Sequence, residues 1–323
     1  MRFRTPAALV LVLGSLALAV AAPVCAEPVK LRVGNSAAQA FSFIPVEVAI
    51  REGFFAKNNV AVESIGFGGS GKQHQAMAAG AIDIALSGGS DLSYVAKGAP
   101  EIAIAQMAGP PLFLGVIVKY DSPLKGPDDL KGKTISVAPG AGVTRWLIQK
   151  LAQEKGWGPD DMRLVTAGGS WAADTAAIVT GQVDAAVTAA ALGFKLEETK
   201  QGRLLFSTSE IEHDFIQHAI FASNAILKEH PEEVRSFLKA WFETIVWMRA
   251  HKAQAVEIAR SVTDFSPEVE NKEYDLVMPM FTTDGHFQAA GLKTIQESFK
   301  DLHLVDGDVD MSKLYTEAYL PRD

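Results

Sequence analysis

The segment from Pro139 to Trp146 carries the clearest chemical signal, because it combines glycines, a hydroxyl and a cation. It follows a predicted strand and opens a predicted helix. Glycines let a backbone come close to a bound group, and the free N–H groups at a helix start favour an anion. Thr144 adds a hydroxyl, and Arg145 offers a two-pronged hydrogen bond to a carboxylate or sulfonate. The alternative for Arg145 is a solvated residue in the first helical turn, where its charge opposes the helix dipole.

Aromatic residues fall on predicted loops beside such a site, at Phe41, Phe43, Trp146 and Trp171. Aromatic walls suit a ligand with a flat or apolar body, whose orientation a few polar groups fix. Each residue has ordinary packing as its alternative, and Trp146 also fits the core-facing side of its helix. Together they favour an aromatic or otherwise bulky organic acid as the ligand.

A faint internal duplication supplies two further loops of this kind. The first copy runs from Gly68-Gly69-Ser70 to the motif Gly80–Ser87, and the second runs from Gly168-Gly169-Ser170 to Gly181–Thr188. Both read Gly-Gly-Ser, a helical stretch, Gly-x-Ile/Val-Asp, a short apolar strand and a hydroxyl residue. Ligands of open α/β sheets bind outside the carboxyl ends of the strands, so the copies offer two facing half-sites. The candidate ligand-binding residues are Phe41, Ser42, Phe43, Ser70, Ser87, Gly88, Gly89, Gly142, Val143, Thr144, Arg145, Trp146, Trp171 and Thr188.

Other residues of the duplication have structural explanations. Asp83 and Asp184 stand on the entry side of their strands, where an aspartate ties down the turn between helix and strand. Lys72 and His74 follow the first Gly-Gly-Ser, and we expect both on the exposed face of the helix that begins there.

Around the duplication, short apolar strands alternate with amphipathic helices, which predicts an α/β protein with parallel sheets covered by helices. The predicted strands include 29–34, 102–107, 114–119 and 134–138, and the predicted helices include 44–52 and 143–155. The last hundred residues are mainly helical. Apolar residues there recur at spacings of three and four, and this pattern makes Trp241 and Trp247 packing residues.

No constellation in the chain is typical of catalysis or metal binding. Nucleophile–base pairs, metal-ligand spacings of histidine and phosphate-binding glycine signatures are all missing, and His213 and His218 are given no role. We therefore expect no catalytic residue, no metal and no cofactor. The net charge of −8 also argues against a nucleic-acid partner.

The first 26 residues have the pattern of a secretory signal peptide. Arg2 and Arg4 precede an apolar run from Ala7 to Ala22, and Val24-Cys25-Ala26 suits cleavage after Ala26. The alternatives are an uncleaved anchor, for which the run is short, and lipidation of Cys25, which Val24 disfavours. Cleavage removes two arginines and no acids, so the net charge changes from −8 to −10, and it also removes the single cysteine. An exported, periplasmic protein without thiols is expected.

The order of motifs resembles the nitrate/sulfonate/taurine family of periplasmic binding proteins, whose fold the fungal thiamine-pyrimidine synthases share. The matching segments are Leu31–Gly34, Ala49–Phe55, Gly80–Ser87, Asp121–Pro123, Asp129–Lys133, Gly181–Asp184 and His230–Glu233. The resemblance covers essentially the whole chain after residue 26. The loop 139–146 departs from the hydroxyl-rich version of the sulfonate binders.

The resemblance implies a type II periplasmic binding fold, with two lobes joined by two crossover strands. One lobe would hold residues 27–115 and 220–323, and the other residues 116–219. The family traps a solute between the lobes by hinge closure and passes it to a membrane permease of an ABC importer. A monomer is expected, since closure needs free lobes.

Three alternatives stay open at this stage. The ligand could be a neutral thiamine-precursor pyrimidine rather than an organic anion. The protein could be a periplasmic sensor with the same fold. A synthase would need the cysteine-rich motif and the pyridoxal-phosphate lysine of the fungal enzymes, and the chain after Ala26 contains no cysteine.

Overall fold

A computed structural model describes residues 29–322, apart from residues 38, 139–141, 159 and 169. The predicted signal segment and its cleavage point lie outside the described residues. The strands are β1 (Lys30–Asn35), β2 (Ala61–Gly66), β3 (Ile84–Gly88), β4 (Glu101–Ala108), β5 (Leu114–Lys119), β6 (Thr134–Ser136), β7 (Arg163–Val165), β8 (Ala185–Ala189), β9 (Gly202–Ser207) and β10 (His218–Ser223). The α-helices are α1 (Ile44–Arg51), α2 (Phe54–Lys57), α3 (Ser70–Ala78), α4 (Leu92–Ala96), α5 (Val143–Glu154), α6 (Trp171–Thr180), α7 (Ala190–Glu198), α8 (Asn224–Glu229), α9 (Pro231–Ala250), α10 (Lys252–Thr263), α11 (Pro267–Val277) and α12 (Ala289–Asp301).

The strands form two five-stranded sheets, each the centre of one lobe. The first sheet has the order β2-β1-β3-β10-β4 and the second has the order β7-β6-β8-β5-β9. In the first sheet β10 is antiparallel to both its neighbours, and in the second sheet β5 is. The other four strands of each sheet run in one direction. The antiparallel strand is in each case the one that the chain enters on crossing from the other lobe. This two-lobed α/β architecture confirms the predicted fold class.

Helices cover both faces of each sheet. Ile84 and Leu86 of β3 pack with Trp241 of α9 on one face, and Ala85 packs with Phe299 of α12 on the other. This alternation follows from the period of two along a strand. In the second lobe, α5 covers one face, and α6 and α7 cover the other. Trp241 is fully buried, as its helical spacing predicted.

The duplication is visible as a pair of matched contacts. Asp83 Oδ2 accepts a hydrogen bond from the backbone N–H of Arg32 at 2.8 Å, and Asp184 Oδ2 accepts from Thr134 N at 2.8 Å. The N–H groups of the two aspartates donate back to the carbonyls of the same partners. Gly80 and Gly181 end the preceding helices with φ of 72° and 74°, a conformation that glycine adopts without strain. The structural role predicted for the two aspartates is confirmed.

The lobes contact each other directly beside the two crossovers. Ala191 of α7 packs with Phe265 and Val269, the latter on α11 of the first lobe. Lys272 Nζ lies 3.3 Å from Glu197 Oε2 across the same junction. The lobe boundaries predicted near residues 115 and 219 stay predictions. β5 already begins at Leu114, and β10 at His218.

Replacing Asp83 by alanine should lower the free energy of unfolding by about 1 to 3 kcal/mol, because Asp83 also pairs with the Arg32 guanidinium and is buried. Asp184→Ala is the matched control from the other copy. Asp184 is exposed, so its loss should cost less. Urea denaturation of both variants measures the two values. Equal losses would contradict the stronger role of Asp83.

Candidate functional site

A cavity of about 660 Å³ lies between the lobes, outside the carboxyl ends of the parallel strands. Its first-lobe wall includes Ser36, Gln39, Phe67 and Gly68, and its second-lobe wall is formed by Ser170 and Trp171. Both Gly-Gly-Ser loops of the duplication therefore line one space. A larger groove of about 830 Å³ follows the outer face of α9, but residues of one lobe alone line it.

Two helix N-termini meet at this cavity. α3 begins at Ser70 directly after Gly69, whose φ of 117° places it in a region that favours glycine. α6 begins at Trp171, and its cap Ser170 accepts a hydrogen bond from Ala173 N at 3.3 Å. Free N–H groups and the positive ends of two helix dipoles favour an anion between them.

A buried ionic network lies behind the first-lobe wall. His74 Nδ1 lies 2.7 Å from Glu101 Oε1, and its Nε2 lies 3.5 Å from Asp91 Oδ2. Asp91 Oδ2 accepts from the Ser87 hydroxyl at 2.5 Å and from Gly88 N at 3.0 Å. The Tyr94 ring stacks on the imidazole at a centroid distance of 4.4 Å. The network connects α3 with the carboxyl end of β3.

Electrostatics fix the charges of this network. Burial lowers the pKa of His74, but its hydrogen bonds to Asp91 and Glu101 outweigh burial and raise the pKa to about 9. Burial likewise raises the pKa of Asp91, while the hydrogen bonds from His74, Ser87 and Ser70 bring the net pKa below its ordinary value. At neutral pH the network therefore holds an imidazolium between carboxylates.

His74 corrects a prediction made from the sequence. It was expected on the exposed face of its helix, yet only 3% of it is exposed. Gln73 and Met77 are also buried, so the inner face of α3 contains positions 73, 74 and 77. The apolar Met77, three residues on, is the signal that marks this face. Lys72 is exposed, as predicted.

The predicted residues Phe41, Ser42 and Phe43 are buried in packing contacts. Phe41 meets the Tyr274 ring edge-on at 6.0 Å, and Phe43 meets the His218 ring at 5.0 Å. Burial lowers the pKa of His218 to about 3, against an opposing effect of Asp91, so this imidazole is neutral. Contact of these aromatic residues with a solute stays a prediction.

The remaining first-lobe candidates lie together at the end of β3 and the start of α3. The Ser70 hydroxyl lies 3.2 Å from that of Ser87. Gly89 packs tightly on the second crossover, where an added Cβ would lie 2.0 Å from the Ile216 carbonyl oxygen. Glycine at this position is thus a packing requirement, whatever else the loop contacts.

The loop that opens α5 is described from Gly142 onward, and Pro139–Ala141 lie outside the described residues. Thr144 Oγ1 accepts from Ala138 N at 3.0 Å, and Val143 and Arg145 are half-buried. Trp146 packs its ring on Phe215 at 5.6 Å, and its Nε1 donates to Asp301 Oδ2 at 2.8 Å. Trp146 is only 1% exposed, so its side chain forms part of the junction between the lobes.

A second polar cluster lies at the carboxyl end of the second sheet. The Ser136 hydroxyl donates to Asp174 Oδ1 at 3.1 Å and accepts from Ala167 N at 3.2 Å. Burial raises the pKa of Asp174, while hydrogen bonds from Ser136 and Thr188 partly oppose that rise. Thr188 was a candidate from the sequence, whereas Ser136 and Asp174 were missed.

The chemistry of these clusters is that of binding. Ser87 donates to a carboxylate instead of an imidazole, and the His74 imidazolium has no lone pair with which to accept a proton. A serine nucleophile needs a neutral base within hydrogen-bond reach, which this arrangement does not provide. Across the described residues, no group of three His, Cys, Asp or Glu side chains could hold a metal ion. In the same part of the chain, no helix has the length and apolarity of a membrane span.

The two-lobed α/β fold with an interlobe cavity is that of periplasmic binding proteins. The family model described as NMT1/THI5 like matches residues 40–255, so the chain belongs to the NMT1/THI5-like family. The prediction of a nitrate/sulfonate/taurine-type relative with the fold of the thiamine-pyrimidine synthases is thereby confirmed.

Named relatives of the chain fall into two functional groups. A Haemophilus influenzae protein provisionally assigned to thiamine biosynthesis is 28% identical over 212 residues, which cover 64% of this chain and 65% of that protein. The 4-amino-5-hydroxymethyl-2-methylpyrimidine phosphate synthase THI13 of Saccharomyces cerevisiae is 24% identical, covering 86% and 84% of the two chains. A Bacillus subtilis protein provisionally named as aliphatic sulfonates-binding is 25% identical, covering 74% and 71%.

Solved structures share the fold at low sequence identity. The periplasmic aliphatic sulphonate binding protein SsuA from Escherichia coli has a TM-score of 0.75 at 18% identity, covering 89% of this chain and 92% of that one. The desulfurization enzyme DSZB in complex with biphenyl-2-sulfinic acid has a TM-score of 0.67 at 15% identity, covering 90% and 97%. The fold thus occurs in both binding proteins and enzymes.

The His74 network predicts a pH dependence of stability. An unfolded histidine ionises near 6.5, and the folded pKa is about 9. The stabilisation is therefore complete below pH 6.5 and is lost as the pH rises through about 9. The free-energy difference between wild type and His74→Gln should shrink by about 3 kcal/mol from about pH 6 to about pH 10.

Chemical denaturation across this pH range measures the difference. His230→Gln is the matched control, because His230 is half-exposed at the start of α9 and should show no such slope. A wild-type–His74→Gln difference that is independent of pH would contradict a charged, ion-paired His74.

Proposed function

We propose that the protein is the periplasmic solute-binding component of an ABC importer, and that it traps a small organic anion between its lobes by hinge closure. The observation that carries this proposal is the shared cavity. Two helix N-termini, one from each copy of the duplication, open onto it from opposite lobes. A solute that bridges both half-sites stabilises the closed form, since it contacts both walls only when the lobes are together.

The cavity wall supports an organic anion with an aromatic or otherwise bulky body. Phe67 and Trp171 supply apolar surface from opposite lobes. The helix N-termini supply N–H donors, and Arg145 stands in the first turn of α5. A carboxylate or sulfonate with an apolar body uses both kinds of surface.

The proposed setting follows from the same fold. An inner-membrane permease recognises the loaded form, and the exported monomer reaches the periplasm after cleavage behind Ala26. Binding without conversion is proposed, because the serine–carboxylate geometry lacks a base and the chain after Ala26 lacks cysteine.

A neutral thiamine-precursor pyrimidine is the second candidate ligand. The observation in its favour is the similarity to the yeast pyrimidine phosphate synthases, which covers 86% of this chain. Such a ring would stack on the aromatic wall and leave Arg145 without a role. A periplasmic sensor with the same cavity is distinguished by its genes, since a neighbouring kinase favours sensing and a neighbouring permease favours import.

Thermal shift of residues 27–323 against aromatic and aliphatic carboxylates, sulfonates, nitrate and neutral pyrimidines tests the proposal. A ligand at about 100 times its Kd should add about 2.7 kcal/mol of stability, which raises Tm by several degrees. Arg145→Ala should weaken binding of the active anion by about tenfold or more. Arg163→Ala, an exposed arginine on β7 of the same lobe, is the control and should bind normally. A shift with neutral pyrimidines alone would overturn the anion proposal.

Trp171→Ala should weaken binding of aromatic anions by about two- to tenfold, because its ring lines the cavity and contributes stacking. Trp157→Ala, which removes an indole from the outer side of the second lobe, is the control and should leave affinity unchanged. Isothermal titration gives both affinities. An unchanged Kd in Trp171→Ala would place the solute away from this wall.

A further inference from the structure

The hydrogens of two hydroxyls in the first lobe are directed inward. The Asp91 carboxylate has no hydrogen to give, so the 2.5 Å contact commits the single hydrogen of Ser87. The Ser87 oxygen can then only accept in its 3.2 Å contact with Ser70, which commits the Ser70 hydrogen as well. Ser70 is half-buried and directly follows Gly69, which lines the cavity. Its remaining hydrogen-bonding capacity is that of an acceptor.

The second lobe reaches the same polarity with different residues. Asp174 stands four residues after Ser170, as His74 stands four residues after Ser70 in the other copy. As a carboxylate it accepts the hydroxyl hydrogens of Ser136 and Thr188. Thr188 lies at the carboxyl end of β8, next to the helix that begins at the cavity. It too is left with acceptor capacity.

The two half-sites therefore combine donors and acceptors in fixed places. Backbone N–H groups of α3 and α6 donate, while Ser70 and Thr188, each backed by a carboxylate, accept. A plain carboxylate or sulfonate has acceptor atoms alone and leaves both hydroxyl oxygens unsatisfied, which costs binding free energy.

We infer that the solute carries an N–H donor, an amino or ammonium group, in addition to its anionic group, and that Asp91 and Asp174 determine this specificity by holding Ser70 and Thr188 as acceptors. The inference rests on the proposed function and narrows its solute class to amino-substituted organic anions. His74 acts as a positioning residue, since its imidazolium lies beside the Asp91 carboxylate.

Matched probe pairs that differ by one amino group test the inference on residues 27–323. The pairs are 4-aminobenzoate and benzoate, taurine and ethanesulfonate, β-alanine and propionate, and 4-aminopyrimidine-5-carboxylate and pyrimidine-5-carboxylate. Isothermal titration should show the amino member binding at least about tenfold more tightly in one or more pairs.

The variants separate specificity from folding. Thr188→Val keeps the shape and removes the acceptor, and Asp174→Asn gives Thr188 and Ser136 an N–H neighbour that frees their hydrogens. Both should bring the affinity ratio of the active pair close to one. Ser70→Ala should do the same from the other lobe. Asp184→Asn is the matched control, because Asp184 lies at the opposite end of the same strand and should keep the ratio.

Each outcome decides the question. Equal or tighter binding of the amino-free member overturns the inference and leaves the proposed anion-binding function standing. Equal losses for both members in Thr188→Val and Asp174→Asn also overturn it, because they indicate a purely structural role. Binding by no probe overturns it as well, and the proposed function itself fails only when the wider ligand panel produces no thermal shift.

Discussion

The common direction of four strands in each sheet is the constraint on which the site depends. Parallel strands bring their carboxyl ends to one edge, so the loops that follow β1, β2 and β3 converge, as do those after β6, β7 and β8. Side chains far apart in sequence thus share one space. The matched contacts of Asp83 and Asp184 hold the motif strand of each copy to the first strand of its lobe. This register sets where Ser87 and Thr188 emerge.

The two copies have kept their frame and diverged in their chemistry. Position four of the helix carries His74 in one lobe and Asp174 in the other, and both side chains turn toward the carboxyl ends of the strands. A histidine there needs two carboxylates around it, because a buried cation without partners is costly. An aspartate there needs only hydroxyls, at the expense of a raised pKa. The same backbone therefore supports an ionic network on one side of the cavity and a hydroxyl–carboxylate pair on the other.

The sequence predicts the frame better than the site. Apolar periodicity, turn glycines and the duplication depend on neighbouring residues, and they predicted β5 at its observed bounds and α5 within one residue at its end. The polar residues of the site depend on partners far along the chain. Glu101 stands 27 residues from His74, and Asp174 stands 38 residues from Ser136. No local pattern reveals such pairs. Trp146 shows the same limit, because its partner Asp301 is 155 residues away.

The position of β10 between β3 and β4 has a consequence for the order in which the molecule is assembled. The first sheet cannot close until residues 218–223 have been made, whereas the second sheet uses a continuous segment, residues 114–207. The amino-terminal lobe is therefore completed after the lobe that follows it in the chain. Until then the exposed edges of β3 and β4 wait for a strand from the far side of the other lobe. A chain that must cross a membrane unfolded gains from this delay, because its leading half cannot fold before the rest has been synthesised.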